Sequence, residues 1–243
     1  MGSGPKPAVG PPLRRDPWLW SGVAGVMGFL LIAVAVLTRG GLPFDDPFAA
    51  AIQGLAIPVG FWEACTFAGG AILVPIGIGM VLTALLARRI RLAIILAAIL
   101  IGAALFTEVV KEVISRPRPP GEALTPWLGF SFPSGHTLNS TVTYGLLAVV
   151  AWRSLLPILA RRSLVAVGVA MPFLVGLSRI ALGVHYPSDV LAGWFGGIAF
   201  VALGACLIRV MGAMERDGSP VADAPTAEGR PADAAETDRP TGT

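Results

Sequence analysis

The sequence predicts an all-α membrane protein, a bundle of six transmembrane helices with disordered tails at both ends. Hydrophobic residues make up 54% of the 243 positions and charged residues only 14%, and the mean hydropathy is +0.73. A soluble protein carries roughly a quarter charged residues. The chain also contains six apolar runs near the length of about 20 residues that a helix needs to cross a bilayer. Most of its surface is therefore predicted to face lipid.

The predicted spans follow one another with short connections. The first span, 18–37, comes after Arg14 and Arg15, and its apolar run exceeds the roughly 7–15 residues of a signal peptide, so we predict a retained helix. The other five spans are 68–87, 92–114, 137–160, 164–182 and 190–208. Pro75 and Pro172 lie inside spans, where neighbouring helices can satisfy the freed backbone groups.

The chain divides into three predicted parts. Residues 1–17 are rich in Gly and Pro and are predicted to form a disordered cytoplasmic tail, residues 18–211 the membrane domain, and residues 212–243 a second disordered cytoplasmic tail. The formal charge of +3 is spread over short loops, which excludes a nucleic-acid surface. Cys65 and Cys206 lie within or beside apolar segments and indicate neither a disulfide framework nor a metal site. Nothing predicts an oligomeric state.

The Lys and Arg residues predict the orientation, because cytoplasmic loops carry more of them. The larger group lies in the N-terminal tail, after the second and fourth spans and after the sixth, so both termini are predicted to be cytoplasmic. The bias towards Arg, Ala, Gly and Pro points to a GC-rich bacterial genome, and the expected location is therefore a bacterial cell membrane. The basic residues left on the outer side are Arg39, Lys111, Arg116, Arg118 and Arg179. Most of them cluster at the ends of spans three and five, which requires an explanation.

The polar residues of the predicted outer face converge on a few places. Six crossings put the end of span three, the start of span four, the end of span five and the start of span six on one side. The residues found there are Lys111, Arg118, His136, Arg179, His185 and Asp189. A guanidinium group can bind two phosphate oxygens at once, and an ammonium group adds a point charge. The outer face is therefore predicted to bind a phosphoryl group.

The segment Pro-Ser-Gly-His at 133–136 directly precedes a predicted helix. A serine there can cap the helix, a glycine allows close backbone approach, and the first N–H groups bind anions. We predict that Ser134 and Gly135 assist phosphate binding. His136 is placed to protonate the leaving oxygen as a general acid.

His185 and Asp189 are four residues apart and can share a helical face or a tight turn. The carboxylate would accept the proton of one ring nitrogen and leave the other nitrogen free to attack. We predict His185 as the nucleophile and Asp189 as the group that orients it. The sequence shows no cluster with metal-ligand spacing, which favours a mechanism without metal or cofactor.

These segments resemble the type 2 phosphatidic acid phosphatase (PAP2) superfamily. The family pattern is a lysine, six residues and Arg-Pro, then Pro-Ser-Gly-His, then Ser-Arg, five residues, a histidine, three residues and an aspartate. Residues 111–119, 133–136 and 178–189 match it without a departure, and the six-helix layout extends the resemblance to residues 18–211. The resemblance implies phosphate binding by Lys111, Arg118 and Arg179. It also implies a phosphohistidine intermediate at His185, which water attacks with His136 as base.

The activity implied by the resemblance is that of an integral membrane phosphatase acting on a lipid phosphate or diphosphate. A membrane-embedded site suits a substrate whose tail stays in the bilayer. An outward-facing site in a bacterial membrane favours undecaprenyl diphosphate, while phosphatidate and phosphatidylglycerol phosphate stay open as alternatives.

Three other functions are less compatible with the sequence. Vanadate-dependent haloperoxidases share the site but are soluble. A transporter would carry charges near mid-membrane and broken helices in repeated halves, whereas here the charges crowd one face. An inactive relative would be expected to lack a motif residue, and none is missing.

Neighbouring charged residues are expected to have structural roles. Glu108 is spaced to pair with Lys111 on one helix face. Arg116 lies outside the family pattern and is expected to face lipid headgroups. Asp45 and Asp46 are expected in a solvated turn of the first outer loop.

Overall fold

The computed structural model describes residues 16–121, 123–126 and 128–217, without the side chains of 213–217. These residues form helices and no strand, which confirms the predicted all-α class. The helices are α1 (Pro17–Arg39), α2 (Asp45–Gln53), α3 (Val59–Ala68), α4 (Leu73–Leu86), α5 (Ile90–Ile114), α6 (Gly135–Trp152), α7 (Ile158–Ala181) and α8 (Pro187–Asp217). Most of the two predicted tails, 1–15 and 218–243, lies outside the described residues.

Five helical segments are long and apolar enough to cross a membrane, judged by length and composition. They are α1, α3 with α4 (Val59–Leu86), α5, α7 and α8 as far as Gly212. The remaining predicted span, the fourth, corresponds to α6, whose first half contains His136, Asn139 and Ser140. This helix is enclosed by α5, α7 and α8 rather than by lipid. Protein neighbours can satisfy polar side chains that lipid cannot, so the central helix tolerates them.

Several predicted span boundaries differ from the observed helices. The second span begins with α3 at Val59 instead of at 68. The helix is interrupted after Ala68, and α4 begins at Leu73. The fourth span does not continue to 160, because α6 ends at Trp152 and α7 begins after Pro157. Proline disfavours helical conformation in the residue before it, so this position starts a new helix. At the end of the bundle, α8 runs on to Asp217, beyond the predicted end of the sixth span at 208.

Small residues bring the helices close together around the site. A Cβ atom at Gly25 of α1 would lie 2.7 Å from the carbonyl oxygen of Phe195 in α8. A Cβ atom at Gly193 of α8 would lie 2.8 Å from Cβ of Thr137 in α6 and 3.0 Å from the carbonyl oxygen of Ser134. Close packing through small residues is the usual means of helix association in lipid. The approach at Gly193 sets the start of α6 against the start of α8.

Candidate active site

The predicted site residues lie together at one end of the helix bundle. Lys111 is in the last turn of α5 and Arg179 in the last turn of α7, while Asp189 is in the first turn of α8. His136 is the second residue of α6, and the charges of Lys111, Arg118 and Arg179 lie close enough to act on it. Three separate chain segments, around 111–118, 136 and 179–185, thus supply one cluster of three cations and two histidines.

His185 is held between a carboxylate and a guanidinium group. Its Nδ1 lies 3.4 Å from Oδ2 of Asp189, and both side chains are buried. The backbone N–H of Tyr186 donates to the same oxygen at 3.0 Å. The other ring nitrogen, Nε2, lies 3.2 Å from Nη1 of Arg118. The ring therefore presents Nδ1 to the carboxylate and Nε2 to the cationic side of the site.

Burial determines the charge of His185. It lowers the pKa of the imidazole from 6.5 to about 4, against the hydrogen bond and charge of Asp189, which raise it. His185 is consequently neutral near pH 7. A nucleophilic imidazole must be neutral, and a proton on Nδ1 leaves the lone pair on Nε2.

Arg118 is fixed by backbone carbonyl groups. Nη1 donates to Val184 at 2.7 Å and Nη2 donates to Leu128 at 2.9 Å and to Phe130 at 3.2 Å, while Nε donates to Gly129 at 3.1 Å. Burial lowers the pKa of Arg118, but an arginine stays charged throughout the physiological range. These contacts hold a permanent cation beside Nε2 of His185, in an orientation that does not depend on the substrate.

Lys111 and Arg179 complete the cationic cluster. Nζ of Lys111 lies 2.8 Å from Oε1 of Glu108, which confirms the expected ion pair. A Cβ atom at Gly135 would lie 3.5 Å from that Nζ, so the lysine borders the first turn of α6. Arg179 is 4% exposed and Nη1 donates to Oγ1 of Thr66 at 2.5 Å. Its buried Nε has no hydrogen-bond partner among the described residues.

The segment before α6 differs from expectation in one respect. Ser134 occupies the N-cap position, but its side chain makes no cap hydrogen bond to the backbone. Its Oγ accepts from Oγ1 of Thr137 at 2.9 Å, and its backbone N–H donates to the carbonyl of Asp189 at 3.1 Å. The predicted side-chain cap is wrong, because Ser134 is fully buried against α8 and the threonine hydroxyl reaches it. A Cβ atom at Gly135 would crowd Cγ2 of Thr107 at 3.1 Å.

The expectations for Arg116 and Asp45 are both wrong. Arg116 is only 5% exposed and does not face headgroups, and Asp45 is only 4% exposed and not in a solvated turn. Nη1 of Arg116 lies 2.5 Å from Oδ1 of Asp189, and Nη2 lies 3.0 Å from Oδ2 of Asp45. Two buried carboxylates require a cation between them, which Arg116 supplies. The only signal in the sequence was a charged residue retained in an apolar protein.

Ser131 is a further site residue that sequence reasoning missed. Its Oγ donates to Oδ2 of Asp189 at 2.5 Å and lies 3.4 Å from Nδ1 of His185. Its backbone N–H donates to the carbonyl of Arg116 at 2.8 Å. No spacing marks this serine, which precedes the Pro-Ser-Gly-His segment.

A cavity of about 660 Å³ extends from this cluster between α4 and α5. Its polar end is formed by Glu108, Lys111, His136 and Asn139. Its apolar wall includes Leu73, Val74, Ile78, Leu82, Leu100 and Ile101. A Cβ atom at Gly70 would lie 3.1 Å from Nε2 of His136, so the break between α3 and α4 leaves room beside this histidine.

One part of the chain, residues 92–210, matches the PAP2 superfamily. It contains every predicted site residue. A structure titled a transmembrane PAP2-type phosphatidylglycerolphosphate phosphatase from Bacillus subtilis is similar, with a TM-score of 0.64 and 26% identity over 83% of this chain and 99% of that chain. The likeness confirms the PAP2-type helical fold of a multi-pass membrane protein.

Two curated relatives are similar over part of their length. Phosphatidylglycerophosphatase B of Bacillus subtilis is 38% identical over 96 residues, which are 39% of this chain and 47% of the relative. Undecaprenyl-diphosphatase of Sulfolobus acidocaldarius is 32% identical over 127 residues, which are 48% of this chain and 55% of the relative. The chain thus spans about half the length of the curated relatives it matches.

Proposed function

We propose that the protein is a membrane phosphatase that hydrolyses a lipid phosphate or diphosphate through a phosphohistidine on His185. The observation that carries this proposal is the placement of neutral, buried His185 between Asp189 and Arg118, within a cationic cluster at one end of an apolar cavity. The match of residues 92–210 to the PAP2 superfamily and the names of the relatives support it.

The first half-reaction transfers the phosphoryl group to the protein. Lys111, Arg118 and Arg179 bind the phosphate oxygens, together with Ser134 and the amide of Gly135. Nε2 of His185 attacks phosphorus, so that an N–P bond forms while the bond from phosphorus to the lipid oxygen breaks. His136 donates a proton to that leaving oxygen. Asp189 stabilises the positive charge that develops on the His185 ring.

The second half-reaction releases the phosphate. His136, now unprotonated, accepts a proton from a water molecule whose oxygen attacks phosphorus. The N–P bond breaks, its electron pair returns to Nε2, and inorganic phosphate leaves. His136 ends the cycle protonated and His185 ends it neutral, so both histidines return to their starting states. No step requires a metal or a cofactor.

The cavity between α4 and α5 accounts for a lipid substrate. Its polar end is at His136 and Lys111, where the leaving group departs, and the rest of its wall is apolar. A hydrocarbon chain can lie along this wall while the headgroup reaches the cations. Both termini are proposed to be cytoplasmic and the site extracytoplasmic, from the distribution of Lys and Arg.

Undecaprenyl diphosphate is the first proposed substrate, because an outward-facing site suits the recycling of a carrier lipid. The relative named undecaprenyl-diphosphatase supports this assignment. Phosphatidylglycerol phosphate is the second candidate, supported by the curated relative and the solved structure from Bacillus subtilis that are named for that activity. The geometry of the cationic cluster serves both substrates, since each presents a terminal phosphate.

The test is phosphate release by the purified protein in detergent from undecaprenyl diphosphate, phosphatidylglycerol phosphate, phosphatidate and a soluble phosphate ester. His185→Ala is measured beside the unmodified protein. Release from one lipid, lost in the variant, would support both the chemistry and that substrate. Release that persists in His185→Ala would exclude the phosphohistidine, and folded protein that releases no phosphate from any lipid would contradict the proposed function.

A further inference from the structure

A buried network of charges lies behind the candidate catalytic pair, on the side away from the cationic cluster. Arg116 contacts Oδ1 of Asp189 at 2.5 Å and Oδ2 of Asp45 at 3.0 Å, and Nη1 also donates to Oγ of Ser188 at 2.8 Å. Its guanidinium carbon lies 4.0 Å from the ring centre of Tyr186. One cation is therefore shared between two carboxylates, and four neighbours fix its position.

The short helix α2 connects this network to both sides of the His185 turn. At its start, Oδ1 of Asp45 accepts from the backbone N–H of Ser188 at 2.8 Å, and Oδ2 accepts from the Ser188 hydroxyl at 2.6 Å. At its end, Nε2 of Gln53 donates to the carbonyl of Ile180 at 3.0 Å. His185 lies between these two attachment points. A helix outside the PAP2 pattern thus spans the turn that bears the candidate nucleophile.

We propose that Asp45 and Arg116 are positioning residues for this reaction: Asp45 holds Arg116 and the start of α8, and Arg116 orients the Asp189 carboxylate towards His185. This inference rests on the proposed function. Neither residue touches substrate. They act through Asp189, which cannot turn freely because Oδ1 is held by Arg116 while Oδ2 faces Ser131, Tyr186 and His185.

The charge count explains why one cation serves two carboxylates. Asp45, Asp189 and Arg116 together carry one net negative charge, which can balance the positive charge on His185 when Nε2 bonds to phosphorus. A guanidinium group devoted to Asp189 alone would neutralise that carboxylate and weaken this balance. Without Arg116, two buried carboxylates would repel each other and lose their partner.

Variants can separate orientation from charge. Asp45→Asn keeps the shape of the side chain and removes its charge, and Asp46→Asn is the matched control because Asp46 is exposed. Arg116→Lys keeps the charge but lacks the guanidinium group that contacts both carboxylates. Arg116→Gln removes the charge. The matched arginine control is Arg39→Gln, at the exposed last residue of α1.

The expected result is a fall in kcat with unchanged KM, because the substrate contacts are untouched. Misplacement of a catalytic pair can cost about 100-fold in rate, and we expect losses of this order in Arg116→Gln and Arg116→Lys. Asp45→Asn should lose less, and the double variant Asp45→Asn/Arg116→Gln no more than Arg116→Gln alone, since Asp45 acts through Arg116. The control variants should match the unmodified protein.

A pH profile of kcat gives a readout that a purely structural role would not move. Removing the Arg116 cation leaves more negative charge beside His185 and favours the protonated imidazole. The acid limb of the profile, where protonation of His185 lowers kcat, should therefore move to higher pH. Removing the Asp45 charge has the opposite sign and moves the acid limb to lower pH. The groups that face His185 directly are Asp189 from α8, Arg179 from α7, Arg118 from the segment after α5 and His136 from α6. None of these groups is changed in the variants.

The outcomes distinguish this inference from the proposed function. If the unmodified protein is active and His185→Ala is not, but Asp45→Asn and Arg116→Lys behave like their controls per folded molecule, the positioning role is wrong and the phosphatase stands. Activity retained in His185→Ala would instead remove the proposed function. Folding is checked by thermal unfolding in detergent. If Arg116→Gln does not fold, Asp45→Asn is the deciding variant. A lower kcat with an acid limb at lower pH would support the positioning role, and a kcat and pH profile like those of Asp46→Asn would contradict it.

Discussion

The two sides of the site are built differently. On the side of the proposed nucleophile, His185 and Asp189 are buried, and both carboxylate oxygens of Asp189 have partners. On the leaving-group side, His136 is half-buried beside a cavity, and Lys111 pairs with a Glu108 side chain that is 68% exposed. The contacts within the protein thus orient the proposed nucleophile, whereas the proposed leaving-group side keeps open space for a substrate.

The largest expected effect tests the nucleophile side. His185→Ala should lower kcat by at least about 10⁴-fold, because loss of a nucleophile removes the covalent route. The loss should be similar for the lipid and for an activated ester such as p-nitrophenyl phosphate, measured as phosphate release. A variant that still hydrolyses the activated ester well would show that another group attacks phosphorus.

The leaving-group side predicts a loss that depends on the substrate. His136→Ala should slow lipid hydrolysis by about 10²- to 10⁴-fold, the usual contribution of a general acid. Release of p-nitrophenol needs little protonation, so formation of the phosphohistidine from that ester should be nearly unaffected. Burst-phase kinetics measure this step apart from hydrolysis of the intermediate. An equal loss of the burst with both substrates would contradict the assignment of His136 as the acid.

Space beside His136 can be tested at the break between α3 and α4. Gly70→Ala places a Cβ atom 3.1 Å from Nε2 of His136, and a displacement of this ring should lower kcat by roughly 10-fold. Gly79→Ala is the matched control, since a Cβ atom at Gly79 meets nothing within 4 Å. Steady-state kinetics on the same lipid compare the two. Equal activity of both variants would show that the ring tolerates the added methyl group.

Burial on the nucleophile side predicts an unusual titration. The chain has two histidines, so His136→Ala leaves His185 as the only imidazole for ¹⁵N NMR. Its pKa should be about 4 instead of 6.5, because burial disfavours the cation. The unfolded chain then binds more protons than the folded one below pH 6.5, and stability should fall as the pH drops from 6.5 towards 4. A midpoint near 6.5 would indicate a solvated ring.

The smallest expected effect concerns metal ions. EDTA should leave phosphate release unchanged, because the proposed steps use only cationic side chains and the two histidines. Vanadate, which mimics the pentacoordinate phosphoryl centre, should inhibit. Strong inhibition by EDTA that Mg²⁺ reverses would contradict the metal-free mechanism.

Sequence reasoning identified the residues whose chemistry is indicated by residue type and by spacing along the chain. Lys111, His136 and His185 could be predicted as site residues because titratable residues are rare in an apolar chain, and where they occur a functional role is the first hypothesis. Helix boundaries were harder to predict. The fourth predicted span ran past Pro157 because the apolar composition continues through the turn, and α6 is less apolar than a lipid-facing helix because protein surrounds it.

The sequence by itself determined the membrane class, the helical architecture and the residues proposed to bind the phosphate, because hydropathy and residue type are local properties. Only the tertiary structure decided that Arg116 and Asp45 are buried behind Asp189, that Ser131 shares its carboxylate, and that α2 spans the His185 turn. These contacts join residues up to 143 positions apart. No local pattern encodes such pairings, since they depend on which helices pack together and on the need of each buried charge for a partner.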